Sequence, residues 1–360
     1  MKYFNFIVAI VLTLLYSIGK IPPSEDYNLW IGTFLIPFAL ALNIIFLLIA
    51  LLLRKKSSLY YLVTLVIGSN YLLGTIGLKS IFKRHVLSEQ SFRVLSFNSH
   101  SLGGRFLTPR SFNEMTKATA DHKAWILKQD AEIQCYQEFI NYNGHKEHDV
   151  VRKMNEKGYH AYFSFDSTQH NVNSVAVGTL IISKYPMIKT GDIMVSTNGF
   201  NRITFADVNI NGDTLRIINV HLESMGLKQF DPIHTSSFQS RKENAKIILA
   251  RLKEGVFERS RQIKILRDFI EASSYPVICV GDFNDMPYSY SYQFMRRKLK
   301  NAFEESGTGF GFTYNGNTLR ALRIDNQFYT TGVTAVNFET LHDVKHSDHF
   351  PIIGQYQLQQ

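Results

Sequence analysis

Polar side chains that can do acid–base or metal chemistry follow apolar, strand-like runs along the last three quarters of the chain. Asn98 ends one such run, Glu138 ends the next and His221 ends a middle one. A polar side chain directly after a buried strand can line a cleft at one edge of a β-sandwich. We therefore expect these side chains to lie together. The full set is Asn98, Glu138, His221, Asp282, Asn284, Asp325, Asp348 and His349.

The composition of this set indicates the kind of site. Carboxylates and amides dominate and cysteine is absent, which suits a hard, oxygen-binding ion such as Mg²⁺ or Mn²⁺ rather than zinc. Histidine paired with aspartate has an adjusted tautomer and basicity. Taken singly, Asn98 is typical of a turn, Glu138 of a surface carboxylate, and Asp282 of a turn after a strand. Taken together, the residues favour a functional site.

The order of the motifs resembles the endonuclease/exonuclease/phosphatase superfamily over residues 91–360. The matching elements, in chain order, are Asn98, Gln137-Glu138, Asn219-Val220-His221-Leu222, Gly281-Asp282-Phe283-Asn284-Asp285-Met286-Pro287, Arg323-Ile324-Asp325 and Ser347-Asp348-His349-Phe350-Pro351. The resemblance implies an α+β fold, the DNase I-like four-layered α/β sandwich in which helices flank two facing β-sheets. It also implies a Mg²⁺-dependent hydrolase that acts on phosphoester bonds.

The resemblance assigns a metal site to three of these residues. Glu138 would be the principal ligand of Mg²⁺ or Mn²⁺, with Asn98 and Asp348 beside it. Many nucleases of the superfamily carry an acidic residue two positions after the first asparagine. This chain has His100 there.

The resemblance assigns catalytic roles to the other five. Asp282 would orient and deprotonate the attacking water, and Asn284 would hold a phosphate oxygen. His349 would contact the scissile phosphate, with Asp325 fixing its tautomer. His221 would stabilise the developing charge or protonate the leaving oxygen. A metal ion together with positioned donors supplies what phosphoryl transfer requires.

The first quarter of the chain is of a different kind. Three stretches carry no charged residue: Tyr3–Gly19, Asn28–Leu53 and Ser57–Leu78. A membrane-spanning helix needs about 20 mostly apolar residues. We therefore expect about three transmembrane helices in a membrane anchor, residues 1–85, followed by a catalytic domain, residues 91–360. For the first stretch a cleaved signal peptide is the alternative to a retained helix, and we favour the retained helix.

Basic residues in short loops predict the orientation of the anchor. Arg54–Lys56 should be cytoplasmic and the loop Lys20–Leu29 outside, so three crossings place the catalytic domain outside the cytoplasm. The basic residues within Lys79–Arg84 argue in the opposite direction, but large domains cross largely regardless of charge. The sequence therefore predicts a multi-pass protein of the cell membrane with an extracytoplasmic catalytic domain.

The net charge of the chain does not decide the substrate class. The 39 basic and 30 acidic residues give a net charge of +9, and about half of the excess lies before residue 91. The mild remainder permits a nucleic-acid substrate, whereas the anchor favours a phospholipid headgroup. Tyr288, Tyr290, Tyr292 and Phe294 could stack on bases or pack inside the protein, and packing is our expectation. No protein partner is predicted.

Two functions of other classes compete with the hydrolase. A membrane-tethered binding module could use the same fold without activity, although the complete residue set argues against it. A transport role ranks last, because the apolar stretches contain no ionisable residue of the kind that marks a transport path. The two cysteines, Cys135 and Cys279, stand in apolar runs and are predicted to be buried free thiols.

Overall fold

The computed structural model describes residues 2–78, 90–100, 117, 119–165, 175–196, 199–224, 238–316 and 320–359. The chain divides into two compact units. One unit comprises Gly77–Leu222, Ile265–Asn284 and Lys298–Gln360, and we call it the catalytic unit because it contains the residues predicted to be catalytic; the other, the helical unit, comprises Met1–Ile76, Glu223–Lys264 and Asp285–Arg297. The predicted domains, 1–85 and 91–360, remain a prediction.

The described chain begins with helices and continues with strands and interspersed helices. The helices are α1 (Lys2–Ile18), α2 (Ile36–Leu52, after a 3₁₀ helix over Leu29–Leu35), α3 (Ser58–Ile67), α4 (Ser69–Thr75), α5 (Ala120–Lys128), α6 (Val150–Glu156), α7 (Phe238–Glu271), α8 (Tyr290–Arg296) and α9 (Ala302–Ser306). The strands are β1 (Ile76–Gly77), β2 (Phe92–Asn98), β3 (Ile133–Tyr142), β4 (His160–Phe165), β5 (Val175–Ser183), β6 (Met187–Val195), β7 (Arg202–Ile210), β8 (Asp213–His221), β9 (Val277–Asp282), β10 (Lys300–Asn301), β11 (Gly309–Phe310), β12 (Tyr314–Asn315), β13 (Arg320–Leu322), β14 (Asp325–Tyr329), β15 (Val333–Thr340) and β16 (Ile352–Leu358).

Two six-stranded sheets form the catalytic unit. Sheet A has the strand order β10-β14-β9-β8-β7-β6, and sheet B has the order β15-β16-β2-β3-β5-β4. Each sheet has one parallel pair near its centre, β8 with β9 in sheet A and β2 with β3 in sheet B. Parallel neighbours end at the same edge of a sheet. Each sheet therefore brings two strand ends together.

The hydrophobic core lies between the sheets. Val94, Ile133 and Cys135 of sheet B belong to one buried cluster with Ile217 and Val280 of sheet A. These positions come from β-branched and aromatic runs, which fit a pleated surface buried on both sides. Both cysteines are free and buried, as predicted.

Helices cover the outer faces of both sheets. On sheet B, Ile126 of α5 and Met154 of α6 pack with Phe97 and Tyr136 in a second buried cluster. On sheet A, the Phe269 ring of α7 lies 5.1 Å from the Phe205 ring. The predicted α+β arrangement of two facing sheets flanked by helices is confirmed.

One N-terminal helix in the described chain could cross a membrane by its length and composition. It runs over Leu29–Leu52 with a mean hydropathy of 2.8. The first apolar stretch forms α1, with 17 residues. The third forms two short helices, because α3 ends at Ile67, Gly68 caps it, and α4 begins at Ser69. Glycine is unfavourable in the interior of a helix.

Polar side chains join the helices of the helical unit. The buried Asn43 amide hydrogen-bonds with the Tyr16 hydroxyl at 3.2 Å and with the Thr64 hydroxyl at 3.1 Å. The segment Asp285–Arg297 packs in the same unit, where Tyr288 belongs to the buried cluster of α1, α2 and α3. The Tyr288 hydroxyl also hydrogen-bonds with Thr75 at 2.8 Å.

Candidate active site

Three strands of sheet A place three predicted site residues side by side. His221 at the end of β8 is paired in register with Asp282 at the end of β9. On its other side Asp282 is paired with Asp325, the first residue of β14. Gly281 allows this close packing, since its φ is +141° and a Cβ atom there would lie 2.0 Å from the Val220 oxygen.

Sheet B contributes Asn98 and Glu138. Asn98 ends β2 opposite Gln137 of β3, and the register of β3 shifts between Tyr136 and Phe139. Glu138 lies within this bulge with a φ of +46°. Positive φ is costly for a residue with a side chain and often occurs at functional sites. The bulge directs the Glu138 carboxylate towards the Asn98 amide.

Asn98 joins the two sheets at this edge. Its Nδ2 donates to Glu138 Oε1 at 3.2 Å and to Asp282 Oδ2 at 2.9 Å. The Ser347 hydroxyl donates to the Asn98 carbonyl at 2.8 Å, which ties the Ser-Asp-His segment to the end of β2. Asn98 Oδ1 accepts from the His100 N–H at 2.9 Å. Asn98 therefore acts here as a donor that orients carboxylates.

Asp325 and His349 form a buried pair. His349 Nδ1 donates to Asp325 Oδ2 at 2.9 Å, and both side chains are 2% exposed. Burial disfavours the charged imidazole, but the carboxylates of Asp325, Asp282 and Asp348 outweigh it and raise the pKa of His349 to about 10. Burial raises the pKa of Asp325, and the Asp282 charge adds to this while His349 opposes it.

The free nitrogen of His349 faces two further carboxylates. His349 Nε2 lies 3.8 Å from Asp282 Oδ2 and 3.9 Å from Asp348 Oδ1. The Tyr314 ring packs edge-on against the imidazole, with 5.1 Å between ring centroids. The protonated imidazole is therefore held with its Nε2–H directed into the carboxylate cluster.

His221 reaches the cluster from β8. Its Nε2 lies 3.6 Å from Glu138 Oε1 and 4.0 Å from Asp282 Oδ2. Its Nδ1 is 3.2 Å from the Phe200 carbonyl, which can only accept, so Nδ1 carries a proton. The other nitrogen is then available for proton transfer at the cluster.

Asn284 stands at the rim of the same edge with a φ of +50°. Its backbone N–H donates to Asp282 Oδ1 at 2.8 Å, and its Nδ2 donates to the Leu222 carbonyl at 2.9 Å. These bonds fix the turn after β9. The second hydrogen on Nδ2 can serve a bound oxygen.

The donor set fits a divalent cation. Glu138, Asp282 and Asp348 converge, and each lies within 4.0 Å of an imidazole nitrogen. Asp282, Asp325 and His349 also offer one ligand atom each within 4.8 Å of one another. Asp325 Oδ2 already accepts from His349, whereas the side chains of Glu138 and Asp348 are 22% and 16% exposed. The partly exposed carboxylates of Glu138 and Asp348 are therefore better placed to receive an ion from solvent.

All eight residues singled out in the sequence lie at one edge of the two sheets. Their individual roles remain predictions. Four neighbours were missed. His100 Nδ1 contacts Asp348 Oδ1 at 3.0 Å, the Thr313 hydroxyl accepts from the Asp325 N–H at 3.0 Å, and Ser347 and Tyr314 make the contacts described above. Ser347 stands inside a recognised motif, but no pattern marks Thr313 or Tyr314.

Comparisons with known proteins decide the family. A family model described as the endonuclease/exonuclease/phosphatase family matches residues 95–349. The chain belongs to this family. The family hydrolyses phosphoester bonds and generally uses divalent metal ions, in agreement with the donor set at the sheet edge. A second model, described as a domain of unknown function, matches residues 1–75. No curated protein matches the chain.

Solved structures of the same family share the fold. An endonuclease/exonuclease/phosphatase from Beutenbergia cavernae DSM 12333 is 16% identical with a TM-score of 0.52, covering 74% of this chain and 72% of that one. A family protein from Bacteroides thetaiotaomicron is 16% identical with a TM-score of 0.50, covering 75% of this chain and 98% of that one. At these identities the likeness concerns the fold alone.

Proposed function

We propose that this family member is a membrane-tethered phosphodiester hydrolase that depends on a divalent metal ion, Mg²⁺ or Mn²⁺. The observation that carries the proposal is the surroundings of Asp282. Its Oδ2 accepts from Asn98 at 2.9 Å and lies within 4.0 Å of the Nε2 atoms of His221 and His349. A carboxylate that is fixed in place by a hydrogen bond can orient a water molecule and accept its proton.

The other residues take complementary roles. Glu138, Asp348 and, after rotation of its amide, Asn98 would hold the metal ion, which when bound neutralises charge on phosphate oxygens. His349 is held protonated by Asp325 and donates from Nε2 to a phosphate oxygen. His221 would stabilise the developing charge or, as an imidazolium that keeps its Nδ1 proton on the Phe200 carbonyl, give its Nε2 proton to the leaving oxygen.

A phospholipid-type headgroup is the proposed substrate class, ahead of nucleic acid. Tyr288 and Tyr292, which could have stacked on bases, are 8% and 2% exposed. Buried rings are not available as a stacking platform for single strands. Tethering at a membrane would instead raise the local concentration of lipid headgroups.

The helical unit supports the tethering. Large apolar side chains face outwards from its helices, including Tyr3 at 83% and Leu52 at 81% exposure. Outward apolar side chains and inward polar ones are the pattern of helices packed in lipid. We further propose that α1 is retained, because its Tyr16 is buried against Asn43 of α2. The multi-pass topology and the extracytoplasmic catalytic unit are part of the same proposal.

The substrate experiment uses full-length protein in detergent micelles. Wild type and Asp282→Ala are incubated with Mg²⁺, Mn²⁺ or EDTA and with phospholipid vesicles, plasmid DNA or bis-p-nitrophenyl phosphate. Asp213→Ala, at the exposed far end of β8, is the control. We expect metal-dependent release of phosphorylated headgroup that Asp282→Ala abolishes. Preference for DNA would reassign the substrate, and no turnover by folded, metal-binding protein would favour an inactive binding module.

A further inference from the structure

Helix α7 carries a buried arginine that none of the roles above uses. The Arg259 side chain is 1% exposed, and its Nε lies 3.3 Å from Asp285 Oδ2. Its Nη1 donates to the Glu223 carbonyl at 3.0 Å. A single guanidinium therefore joins two segments that are far apart in sequence.

Both partners of Arg259 follow directly after residues of the candidate active site. Glu223 comes two residues after His221, and Asp285 comes one residue after Asn284. These are the points at which the chain leaves the neighbouring parallel strands β8 and β9. The strands themselves are joined there by the Leu222 N–H, which donates to the Asp282 carbonyl at 3.0 Å.

Gln262 stands one turn further along α7 and completes the contact. Its Oε1 accepts from the Glu223 N–H at 2.9 Å, so both backbone polar groups of Glu223 are held by the same face of the helix. Residues three apart in a helix are neighbours on one face. Arg259 and Gln262 thus act on one peptide segment together.

Such a contact is not explained by stability alone. A buried ion pair loses much of its electrostatic gain to desolvation, and apolar replacements are often equally stable. A planar guanidinium with several fixed donors does, however, define the relative position of its partners well.

We propose that Arg259, assisted by Gln262, is a positioning residue of the active site. The two side chains fix the backbone where it leaves β8 after His221 and β9 after Asp282–Asn284. This rests on the proposed hydrolase. Substrate binding would depend little on Arg259, whereas the turnover step would depend on the alignment of Asp282 with His221. A displacement of about 1 Å in a reacting group can cost about 100-fold in rate.

The chain offers a matched control for a purely structural role. Arg216 pairs with the buried Asp207, with bonds of 2.7 and 2.9 Å, near the opposite end of β8, and its own side chain is 12% exposed. Arg216→Lys replaces the guanidinium of a second arginine–aspartate pair without changing the residues that follow β8 and β9. It should lower stability and leave the active-site edge unchanged.

The experiment compares full-length wild type, Arg259→Lys, Gln262→Leu and Arg216→Lys in detergent micelles. Turnover of bis-p-nitrophenyl phosphate with Mn²⁺ is measured beside thermal unfolding and hydrogen exchange of peptides that contain Leu222 and Asn284. We expect Arg259→Lys to lower kcat about 10–100-fold with KM within about threefold, and to raise exchange at both peptides. Gln262→Leu should do the same more weakly, and Arg216→Lys should lower only the melting temperature.

Four outcomes decide between the positioning role and the hydrolase. Unchanged kcat and exchange in folded Arg259→Lys would overturn the proposal, as would an equal kcat loss in Arg216→Lys. If Arg259→Lys does not fold, Gln262→Leu decides in the same way. Absence of turnover in wild type would refute the hydrolase itself, and hydrogen exchange would still test the positioning.

Discussion

Replacing Asp325 by Asn tests the buried Asp–His pair. The amide is isosteric with the carboxylate and can still accept from His349 Nδ1, so the change removes charge more than shape. The two groups are 2.9 Å apart and 2% exposed, where water screens their attraction least. The variant therefore isolates the electrostatic role of Asp325.

The magnitude follows from this distance. At 2.9 Å and an effective dielectric constant of about 20, two unit charges attract by about 6 kcal/mol. That is the gross stabilisation of the imidazolium, and burial opposes it. Without it the pKa of His349 should fall from about 10 towards or below its ordinary value of 6.5. At a pKa of 6.5 about one molecule in ten would keep a protonated His349 at pH 7.5, so we expect kcat to fall at least about tenfold.

The assay is the pH dependence of kcat with Mn²⁺ for wild type, Asp325→Asn and Asp207→Asn. The protonated imidazole is the active form, so activity is lost as pH rises through its pKa. In Asp325→Asn this alkaline limb should move to lower pH. Asp207→Asn removes another buried carboxylate, which is paired with Arg216. In this variant the alkaline limb of the kcat profile should stay at its wild-type pH. An Asp325→Asn enzyme with nearly full kcat and an unmoved alkaline limb would refute the reasoning.

Three further predictions concern other parts of the catalytic unit. Glu138→Gln should raise the Mn²⁺ concentration for half-maximal activity at least about tenfold, as expected for a lost metal ligand, and an unchanged value would exclude Glu138 from the metal site; exposed Glu156→Gln is the control. Lys123 is 4% exposed without a hydrogen bond for its Nζ, and burial lowers its pKa to about 8. Lys123→Met should stabilise the protein by about 1 kcal/mol at pH 7 in thermal unfolding, since an unsatisfied buried donor costs about 1–3 kcal/mol and the cation–π contact with Tyr142 offsets part of this. The unfolded chain binds more protons between pH 8 and 10.5, so the gain should shrink across that range; a loss of stability at pH 7 would contradict this. Burial raises the pKa of Cys135 and Cys279, so iodoacetamide at pH 8 should label them only after unfolding, and rapid labelling of the native protein would disprove their burial.

The sequence was most informative where a polar residue interrupts an apolar run. His221 and Asp282 each follow a buried strand, and parallel pairing of those strands brings them to one edge. Asn98 was found in the same way. These positions follow from local patterns, because burial and strand direction together determine where such a side chain must lie.

Other features depend on contacts that no local pattern contains. Glu138 reaches the cluster through a β-bulge with positive φ, which the strand pattern of β3 does not predict. The segments Glu223–Lys264 and Asp285–Arg297 belong to the helical unit, and no local sequence pattern marks this membership. The third apolar stretch is interrupted at Gly68. The sequence did not predict this break, because composition measures apolar character and not helix continuity.

The central claim is that the eight residues at the sheet edge form a metal-dependent hydrolytic site. It is tested most directly by the turnover of bis-p-nitrophenyl phosphate as Mg²⁺ or Mn²⁺ is titrated into metal-free, full-length protein. We expect saturable activation in wild type and in Asp213→Ala, and a loss of at least about 10³-fold in kcat in folded Asp282→Ala. Turnover that is independent of added metal, or that survives in Asp282→Ala, would contradict it.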